Sequence, residues 1–120
     1  MQGRILAVDD DPSISRLIKI YLNTRGYDVL ACSDPEEALE NLRSDSEIRL
    51  IITDVIMPKL DGCELAVRAS ALQPQVLILF ISGQDQGRLQ VFQRRSGSLN
   101  FLRKPFSGDE LCTAVDRLLG

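Results

Sequence analysis

The sequence predicts an α/β fold in which one doubly wound parallel sheet of five strands is covered by five helices. Five short apolar runs alternate with five segments of helical periodicity along the 120 residues, a pattern typical of parallel sheets with helices on both faces. The run at residues 76–81 is continuously apolar, as strands buried on both faces are. No repeat or low-complexity linker interrupts the chain, so we expect residues 1–120 to form a single domain. Periodicity alone leaves two common strand orders open.

Composition and charge argue against several classes of protein. The chain is 44% hydrophobic and 26% charged, which is ordinary for a soluble globular domain. A net charge of −3 without a basic run argues against direct binding to nucleic acid. No apolar stretch approaches the length of a membrane span, and the first strand-like run begins too early to leave room for a signal peptide. We therefore expect a cytoplasmic protein with no direct contact to nucleic acid or membrane.

Two residue types narrow the chemistry. Histidine is absent, which removes histidine-based catalysis and most transition-metal sites. Cys32, Cys63 and Cys112 are odd in number and widely spaced. They fit reduced thiols of a cytosolic protein better than disulfides or a zinc site.

The first half of the chain contains three predicted strands, at residues 5–8, 27–32 and 50–53. A helix begins at Pro12, is capped by Asp11 or Ser13, and is stopped by Gly26 as the C′ residue. Its apolar stripe consists of Ile14, Leu17, Ile18, Tyr21 and Leu22. A second helix is capped by Asp34 and has a buried side formed by Ala38, Leu39 and Leu42.

The second half contains two predicted strands, at residues 76–81 and 99–102. A third helix covers residues 63–71, with three inward candidates, Leu65, Ala66 and Ala69. A fourth, more polar helix covers residues 84–95. The last helix opens with a capping box formed by Ser107 and Glu110, and its apolar stripe consists of Leu111, Ala114, Val115, Leu118 and Leu119.

Polar side chains follow the predicted strands at the points where the strands end. Asp9 and Asp10 follow the first strand, Asp54 the third, Ser82 the fourth and Lys104 the fifth. Because the carboxyl ends of parallel strands meet at one edge of the sheet, we expect these side chains to lie together. Three adjacent carboxylates repel each other unless a cation joins them. Oxygen ligands select a hard ion, which predicts Mg²⁺ at this edge.

The same residues suit phosphoryl transfer. Lys104 could bind a phosphoryl oxygen or Asp54, and Ser82 could donate a hydrogen bond to the same oxygen. Asp54 could then attack a phosphoryl group and hold it as an acyl phosphate. Singly, each residue has a simpler interpretation as a surface lysine, a turn serine or a capping acid, and for Asp11 the cap is the prediction. Together, on one edge, they predict a phosphoryl acceptor.

Four sequence blocks carry a resemblance to a known family. ILAVDDDP, LIITDVIMPKLDG, ILFISG and FLRKPF resemble the receiver domain of two-component response regulators, and the match extends from Ile5 to the last helix. The resemblance implies a flavodoxin-like sheet with strand order 2-1-3-4-5. It implies a domain that takes a phosphoryl group from a phosphohistidine of a partner kinase and changes its interaction surface in a phosphorelay.

The resemblance also implies roles for individual residues. Asp54 is then the phosphorylation site. Mg²⁺ (or Mn²⁺) is held by three carboxylates and one backbone carbonyl, those of Asp9, Asp10, Asp54 and Ile56. Ser82 and Lys104 bind the phosphoryl group, and Phe101 is the aromatic side chain that swings inward on activation. The peptide bond before Pro105 is cis in this family.

The partners that the resemblance implies are proteins. A sensor histidine kinase or a phosphotransfer protein donates the phosphoryl group, and the domain is no enzyme beyond its own phosphotransfer and autodephosphorylation. The output surface consists of the fourth helix, the fifth strand and the last helix, with a basic character from Arg88, Arg94, Arg95 and Arg103. A homodimer could form through that surface. The receiver could be free-standing or fused to an effector domain in a longer protein.

Two alternative functions are open. An aspartyl-phosphate hydrolase of the haloacid dehalogenase type has a general acid two residues after its nucleophile, where this chain has Ile56. A phosphorylation-independent interaction module on the same fold would be expected to have lost an acid or the lysine, and none is lost. For Phe101, a position in the core is the alternative to a switching role.

Overall fold

In the part of the chain that the structure describes, five strands alternate with five helices. The structure, a computed structural model, describes residues 3–83, 86–96 and 100–120, and the side chains of residues 86, 88, 92, 95 and 96 are not described. The elements are, in chain order, β1 (Arg4–Val8), α1 (Pro12–Asn23), β2 (Asp28–Cys32), α2 (Pro35–Ser44), β3 (Ile48–Asp54), α3 (Gly62–Leu72), β4 (Leu77–Ser82), α4 (Gln86–Ser96), β5 (Phe101–Arg103) and α5 (Gly108–Leu119).

The five strands are parallel and lie in the order β2-β1-β3-β4-β5. The predicted fold class and the strand order that the resemblance implies are therefore confirmed. At the end of β1, Val8 lies opposite Cys32 of β2 and Thr53 of β3. Asp9 and Asp54, the residues that come next, consequently start from adjacent positions at the carboxyl edge.

The central strands are buried on both faces because successive residues point to opposite sides of the sheet. Ile5 and Ala7 belong to the core that α1 and α5 cover, whereas Leu6, Val8 and Ile51 belong to the core that α2 and α3 cover. All five side chains are at most 1% exposed. Burial on both faces explains why these strands are continuously apolar in sequence.

Among the described residues, four helices begin at a residue whose side chain caps the first turn. In each case a side-chain oxygen accepts a hydrogen bond from a main-chain N–H, and the caps are Asp11, Asp34, Asp61 and Ser107. Asp11, not Ser13, therefore caps α1. The capping box predicted for Ser107 and Glu110 is present at α5. Within the described ranges, no helix has the length and apolar character needed to cross a membrane.

Several predicted boundaries differ from the structure by one or two residues. β3 begins at Ile48 because the exposed Arg49 alternates with buried neighbours, a half-buried pattern at the strand's amino end that the search for a continuous apolar run missed. β2 and β4 each begin one residue later than predicted, and α3 is one residue longer at each end. Leu99 and Gln84, the predicted first residues of the fifth strand and the fourth helix, lie outside the described residues.

One residue of the stripe predicted for α1 is not in the core. Leu17 is 41% exposed, whereas Ile18 and Leu22 are buried. Residues four positions apart share one face of a helix, and the face centred on Ile18 and Leu22 points to the sheet. Leu17 lies at the edge of that face, where it lines an open groove with Pro105.

Polar contacts join the end of α1 and the start of β2 to α5. The Tyr27 hydroxyl and Arg25 Nη1 both donate to the Asp116 carboxylate, at 2.5 and 2.8 Å. Burial, helped by the bond to Asp116, raises the pKa of the Tyr27 hydroxyl to about 12. Gly108 permits close packing, because a Cβ atom there would lie 2.7 Å from the ring of Tyr21. These contacts thus hold α1 and the start of β2 against α5.

Candidate functional site

Three carboxylates meet at the carboxyl edge of the sheet. Asp9 and Asp10 follow β1 and Asp54 ends β3, and one oxygen of each lies within 4.8 Å of the others. Asp9 is buried and only 2% exposed, the side chain of Asp54 is 15% exposed, and Asp10 is exposed. The prediction that the strand ends bring these acids together is confirmed by this geometry.

Lys104 reaches into the same site from the end of β5. Its Nζ donates to Asp54 Oδ2 at 3.0 Å, and this ion pair is partly buried. Its main-chain N–H donates to the carbonyl of Ser82 at 2.8 Å, which extends the β4–β5 ladder by one bond. The Lys104–Pro105 peptide bond is cis. The lysine is therefore anchored through its backbone beside the strand that neighbours Asp54.

One carboxylate oxygen of Asp9 is buried without a hydrogen-bond partner among the described residues. Its Oδ1 accepts a hydrogen bond from the main-chain N–H of Asp11 at 2.9 Å, but its buried Oδ2 has no partner among the residues that the structure describes. Burial and, to a smaller extent, the charge of Asp54 raise the pKa of the Asp9 carboxyl to about 6, against the opposing effect of the Asp11 hydrogen bond. A buried acceptor without a partner is costly, and a cation at this oxygen would remove that cost.

The three carboxylates fit a divalent cation. Asp9, Asp10 and Asp54 offer oxygen ligands only, which suit a hard ion such as Mg²⁺. Asp9, whose buried Oδ2 has no partner within the described part of the chain, belongs to this group, so an unmet hydrogen bond as well as the number of acids favours a cation here. Ile56, whose backbone carbonyl is the fourth predicted ligand, lies two residues beyond Asp54 with its side chain 57% exposed.

Ser82 and Asp11 take up the positions that their sequence context suggests. Ser82 is the last residue of β4 and is fully buried; Asp54 lies opposite Ile81, so Ser82 is one residue further along the neighbouring strand. Asp11 Oδ1 accepts hydrogen bonds from the N–H and the hydroxyl of Ser13 at 3.0 and 2.7 Å. These bonds lower the pKa of the Asp11 carboxyl. Asp11 thus acts as a helix cap beside the site.

Phe101 lies on the surface. Its side chain is 42% exposed, so the alternative that it is a core residue is wrong. It borders a shallow cavity of about 220 Å³, whose lining also includes Leu79, Asn100 and Arg117. The ring is therefore in an outward position next to a space at the β5–α5 surface.

Two contacts of the Asp54 backbone were missed from the sequence. The Thr53 hydroxyl donates to the Asp54 carbonyl at 2.9 Å, and a Cβ atom at Gly62 would lie 2.2 Å from the same carbonyl oxygen. The sequence contains a feature that could have indicated each contact. Thr53 is the one hydroxyl in an apolar run, and Gly62 directly follows the helix cap Asp61, where a side chain is normally tolerated.

Comparisons with known proteins agree with this geometry. A family model described as the response regulator receiver domain matches residues 5–116. The chain is 35% identical over 119 residues to the alkaline phosphatase synthesis transcriptional regulatory protein PhoP of Bacillus subtilis, covering 99% of this chain and 49% of that protein. It is 32% identical over 120 residues to the transcriptional regulatory protein SrrA of Staphylococcus aureus, covering 99% of this chain and 48% of that protein.

A solved structure extends the comparison to three dimensions. The CheY-like response regulator receiver domain protein of Methanospirillum hungatei superimposes with a TM-score of 0.89 at 27% identity, covering 98% of this chain and 93% of that one. The chain spans about half the length of the curated relatives it matches. The likeness to them therefore concerns the part of those regulators that this chain covers.

Proposed function

This chain belongs to the response regulator receiver domain family, and we propose that it accepts a phosphoryl group on Asp54 from a phosphohistidine of a sensor histidine kinase or a phosphotransfer protein. One observation carries the proposal. Asp54 stands at the end of a buried strand with Lys104 Nζ 3.0 Å from its carboxylate and with two further carboxylates within 4.8 Å. Receiver domains are signalling phosphoacceptors and not enzymes that act on a separate substrate.

The transfer that we propose is a displacement at phosphorus. An Asp54 carboxylate oxygen attacks the phosphorus atom, and the bond from phosphorus to the donor imidazole nitrogen breaks with its electron pair. The imidazole regains a proton from solvent, and Asp54 becomes an acyl phosphate. Hydrolysis of that anhydride by water, the autodephosphorylation expected of the domain, returns the carboxylate and releases phosphate.

The neighbouring side chains would share the charge of the phosphoryl group. Asp9, Asp10 and Asp54, with the backbone carbonyl of Ile56, would hold Mg²⁺ (or Mn²⁺). When bound, this cation would neutralise negative charge on the phosphoryl oxygens. Lys104 would exchange its bond to Asp54 for one to a phosphoryl oxygen, since an ammonium group binds either anion. The Ser82 hydroxyl would donate to a second oxygen.

Phosphorylation would act at a distance through the surface formed by α4, β5 and α5. Ser82 ends β4, the strand that pairs with β5, and Lys104 directly follows β5, so a bond from either to the phosphoryl group would shift the loops next to that surface. The exposed ring of Phe101 would turn inward as part of this change. Arg94 and Arg103 are exposed there, whereas the side chains of Arg88 and Arg95 lie outside the described residues.

The same surface would bind the next partner. A homodimer through α4, β5 and α5, or contact with an effector domain fused to the receiver, would transmit the signal. The relatives are transcriptional regulatory proteins by name, and this chain matches about half of each. We accordingly propose that residues 1–120 work as a single receiver domain in the cytoplasm, with its output delivered by another domain or protein.

Both alternative functions receive less support. A hydrolase of the haloacid dehalogenase type would use an acid at position 56, and the side chain there is an exposed isoleucine. A phosphorylation-independent module would have no need to keep Asp9, Asp10, Asp54 and Lys104 together, yet the acids cluster and the lysine contacts Asp54.

The test is phosphorylation by a small-molecule donor. We expect the wild-type protein to gain one phosphoryl group by intact mass after incubation with acetyl phosphate and Mg²⁺, and to gain none with a chelator or in Asp54→Asn. Asp11→Asn is the matched control, because asparagine caps a helix as well as aspartate does, and it should be phosphorylated like wild type. No gain in folded wild-type protein would favour the phosphorylation-independent module.

A further inference from the structure

We propose that the Thr53 hydroxyl is a positioning group for the metal site, because it fixes the backbone of the turn that carries the Ile56 carbonyl. The inference rests on the proposed function and adds a residue to it. The hydrogen bonds of the Thr53 hydroxyl go to a backbone carbonyl and a thioether, and not to the carboxylate groups of the acids or to Lys104. These contacts are with the main chain of Asp54 and with Met57, at the start of the turn at residues 55–61.

The Thr53 side chain is fully buried. Its Oγ1 lies 2.9 Å from the Asp54 carbonyl oxygen and 3.9 Å from Met57 Sδ. A hydroxyl has one proton to donate, and a carbonyl oxygen is a much stronger acceptor than a thioether. The proton is therefore directed at the Asp54 carbonyl, which fixes the orientation of the peptide group between Asp54 and Val55.

Gly62 holds the other end of the turn. Its N–H donates to the Val55 carbonyl at 2.7 Å, and a Cβ atom at this residue would lie 2.2 Å from the Asp54 carbonyl oxygen. Gly62 has no positive φ, so the close approach, and not backbone strain, is what requires glycine here. Thr53 and Gly62 thus both lie against the same carbonyl oxygen.

Ile56 lies between anchored neighbours. Val55 is fully buried and Met57 is 6% exposed, whereas the Ile56 side chain is 57% exposed. The orientation of the Ile56 carbonyl is consequently set by two fixed peptide groups and two buried side chains. Loss of the Thr53 hydrogen bond would free the first of these constraints, so that the carbonyl would spend less time in the orientation that a cation needs.

The test compares variants that separate the hydroxyl from the shape of the side chain. Thr53→Val keeps the shape and removes the hydroxyl, and Thr53→Ser keeps the hydroxyl. Thr24→Val is the matched control, because it removes a threonine hydroxyl that donates to a main-chain carbonyl, that of Tyr21, away from the site. Two quantities are measured on folded protein: Mg²⁺ affinity by calorimetry, and the hydrogen-exchange rate of the Gly62 amide in the presence of a chelator.

We expect Thr53→Val to bind Mg²⁺ about 3- to 10-fold more weakly than wild type, the range that one hydrogen bond supports. Its Gly62 amide should exchange faster in the metal-free protein, while the amide of Ile52 in β3 should be unchanged. Thr53→Ser and Thr24→Val should resemble wild type in both measurements.

Three results would overturn the inference. Equal Mg²⁺ affinity in wild type and Thr53→Val would leave the proposed function standing and remove the positioning role. Equal weakening in Thr53→Val and Thr53→Ser would show that the site is sensitive to any substitution at this buried position and not to the hydroxyl in particular. A wild-type protein that binds no Mg²⁺ would remove the metal site itself, and with it both the cofactor part of the proposed function and this role.

Discussion

The two edges of the sheet differ in how their charged side chains are paired. At the amino edge, Arg4 pairs with two acids, donating through Nε to Asp28 at 2.9 Å and through Nη1 to Asp45. At the carboxyl edge, three carboxylates lie within 4.8 Å of one another, and Lys104 is bonded to Asp54. At the amino edge each of the two acids is therefore bonded to a cation, whereas the carboxyl edge has three carboxylates beside one lysine, and one of their oxygens, on Asp9, is buried.

The difference separates a structural charge cluster from a functional one. Exposed ion pairs such as those of Arg4 contribute little to stability, and their charges are already paired, so they give no reason to expect a bound ion. An excess of carboxylates, one of them buried and without a partner among the described residues, is destabilising until a cation arrives. The comparison predicts that removing charge should have opposite consequences at the two edges.

The largest expected effect is on phosphorylation. Lys104→Met removes the ammonium group that would bind a phosphoryl oxygen, so the rate of phosphorylation by acetyl phosphate should fall by about 100-fold or more. Its Mg²⁺ affinity should not decrease, because a positive charge near the carboxylates has been lost. Intact mass against time measures the rate, and calorimetry measures the affinity.

The control for this change is another lysine–aspartate pair. Lys59 donates to Asp34 at 3.0 Å on the surface, and Lys59→Met should leave the phosphorylation rate close to that of wild type. If Lys104→Met were phosphorylated as fast as Lys59→Met, the Lys104–Asp54 pair would have no larger role in phosphorylation than the surface pair of Lys59 and Asp34.

An intermediate effect is expected at Asp9. Since burial raises the pKa of the Asp9 carboxyl from 3.8 to about 6, the folded protein holds this proton where the unfolded chain has lost it. The associated stability is present below about pH 4 and is lost as pH rises through 6. At pH 7.5 in a chelator, Asp9→Asn should therefore raise the free energy of unfolding by about 1–3 kcal/mol.

Urea unfolding at a series of pH values measures this effect. The gain from Asp9→Asn should shrink as the pH falls and approach zero below about pH 3, where the wild-type carboxyl is protonated in both states. Added Mg²⁺ should reverse the order, because it stabilises the folded protein that binds it more tightly. A variant less stable than wild type in chelator at pH 7.5 would contradict the idea that the Asp9 charge is uncompensated.

The smallest effect is expected at the amino edge. Arg4→Met breaks the bonds to Asp28 and Asp45, but the Arg4 side chain is 38% exposed, and such pairs are screened by solvent. The melting temperature should fall by no more than about 3 °C, and Mg²⁺ affinity and phosphorylation should not change. A thermal melt and a phosphorylation assay check both statements. A large loss of Mg²⁺ affinity or of phosphorylation in Arg4→Met would show that the two edges are coupled.

The fold and the edge that bears the acids were predictable because they follow from short-range patterns. Continuous apolar runs mark strands buried on both faces, and a residue that directly follows such a strand must lie at the carboxyl edge of a parallel sheet. Asp9, Asp54 and Lys104 could be brought together from their positions alone. The resemblance supplied the strand order, which the periodicity did not.

The remaining features depend on contacts that no local pattern encodes. The Asp116 bonds to Tyr27 and Arg25 join residues 89 and 91 positions apart. The exposure of Phe101 depends on how far β5 extends and on what α5 covers. The hydroxyl of Thr53 is bonded to an adjacent carbonyl, but only the geometry at the end of β3 decides that it points there.

The bonds of Asp116 also bear on how the protein is made. The core under α1 contains Ile18 from the first helix and Leu111 from the last. On the ribosome, the part of the first helix that packs on α5 would stay uncovered after it leaves the exit tunnel, because α5 is synthesised about 90 residues later. Contacts of such long sequence separation are slow to form. The nascent chain would therefore complete this core only after α5 has been synthesised, and chaperones that bind apolar segments would have their longest task at α1.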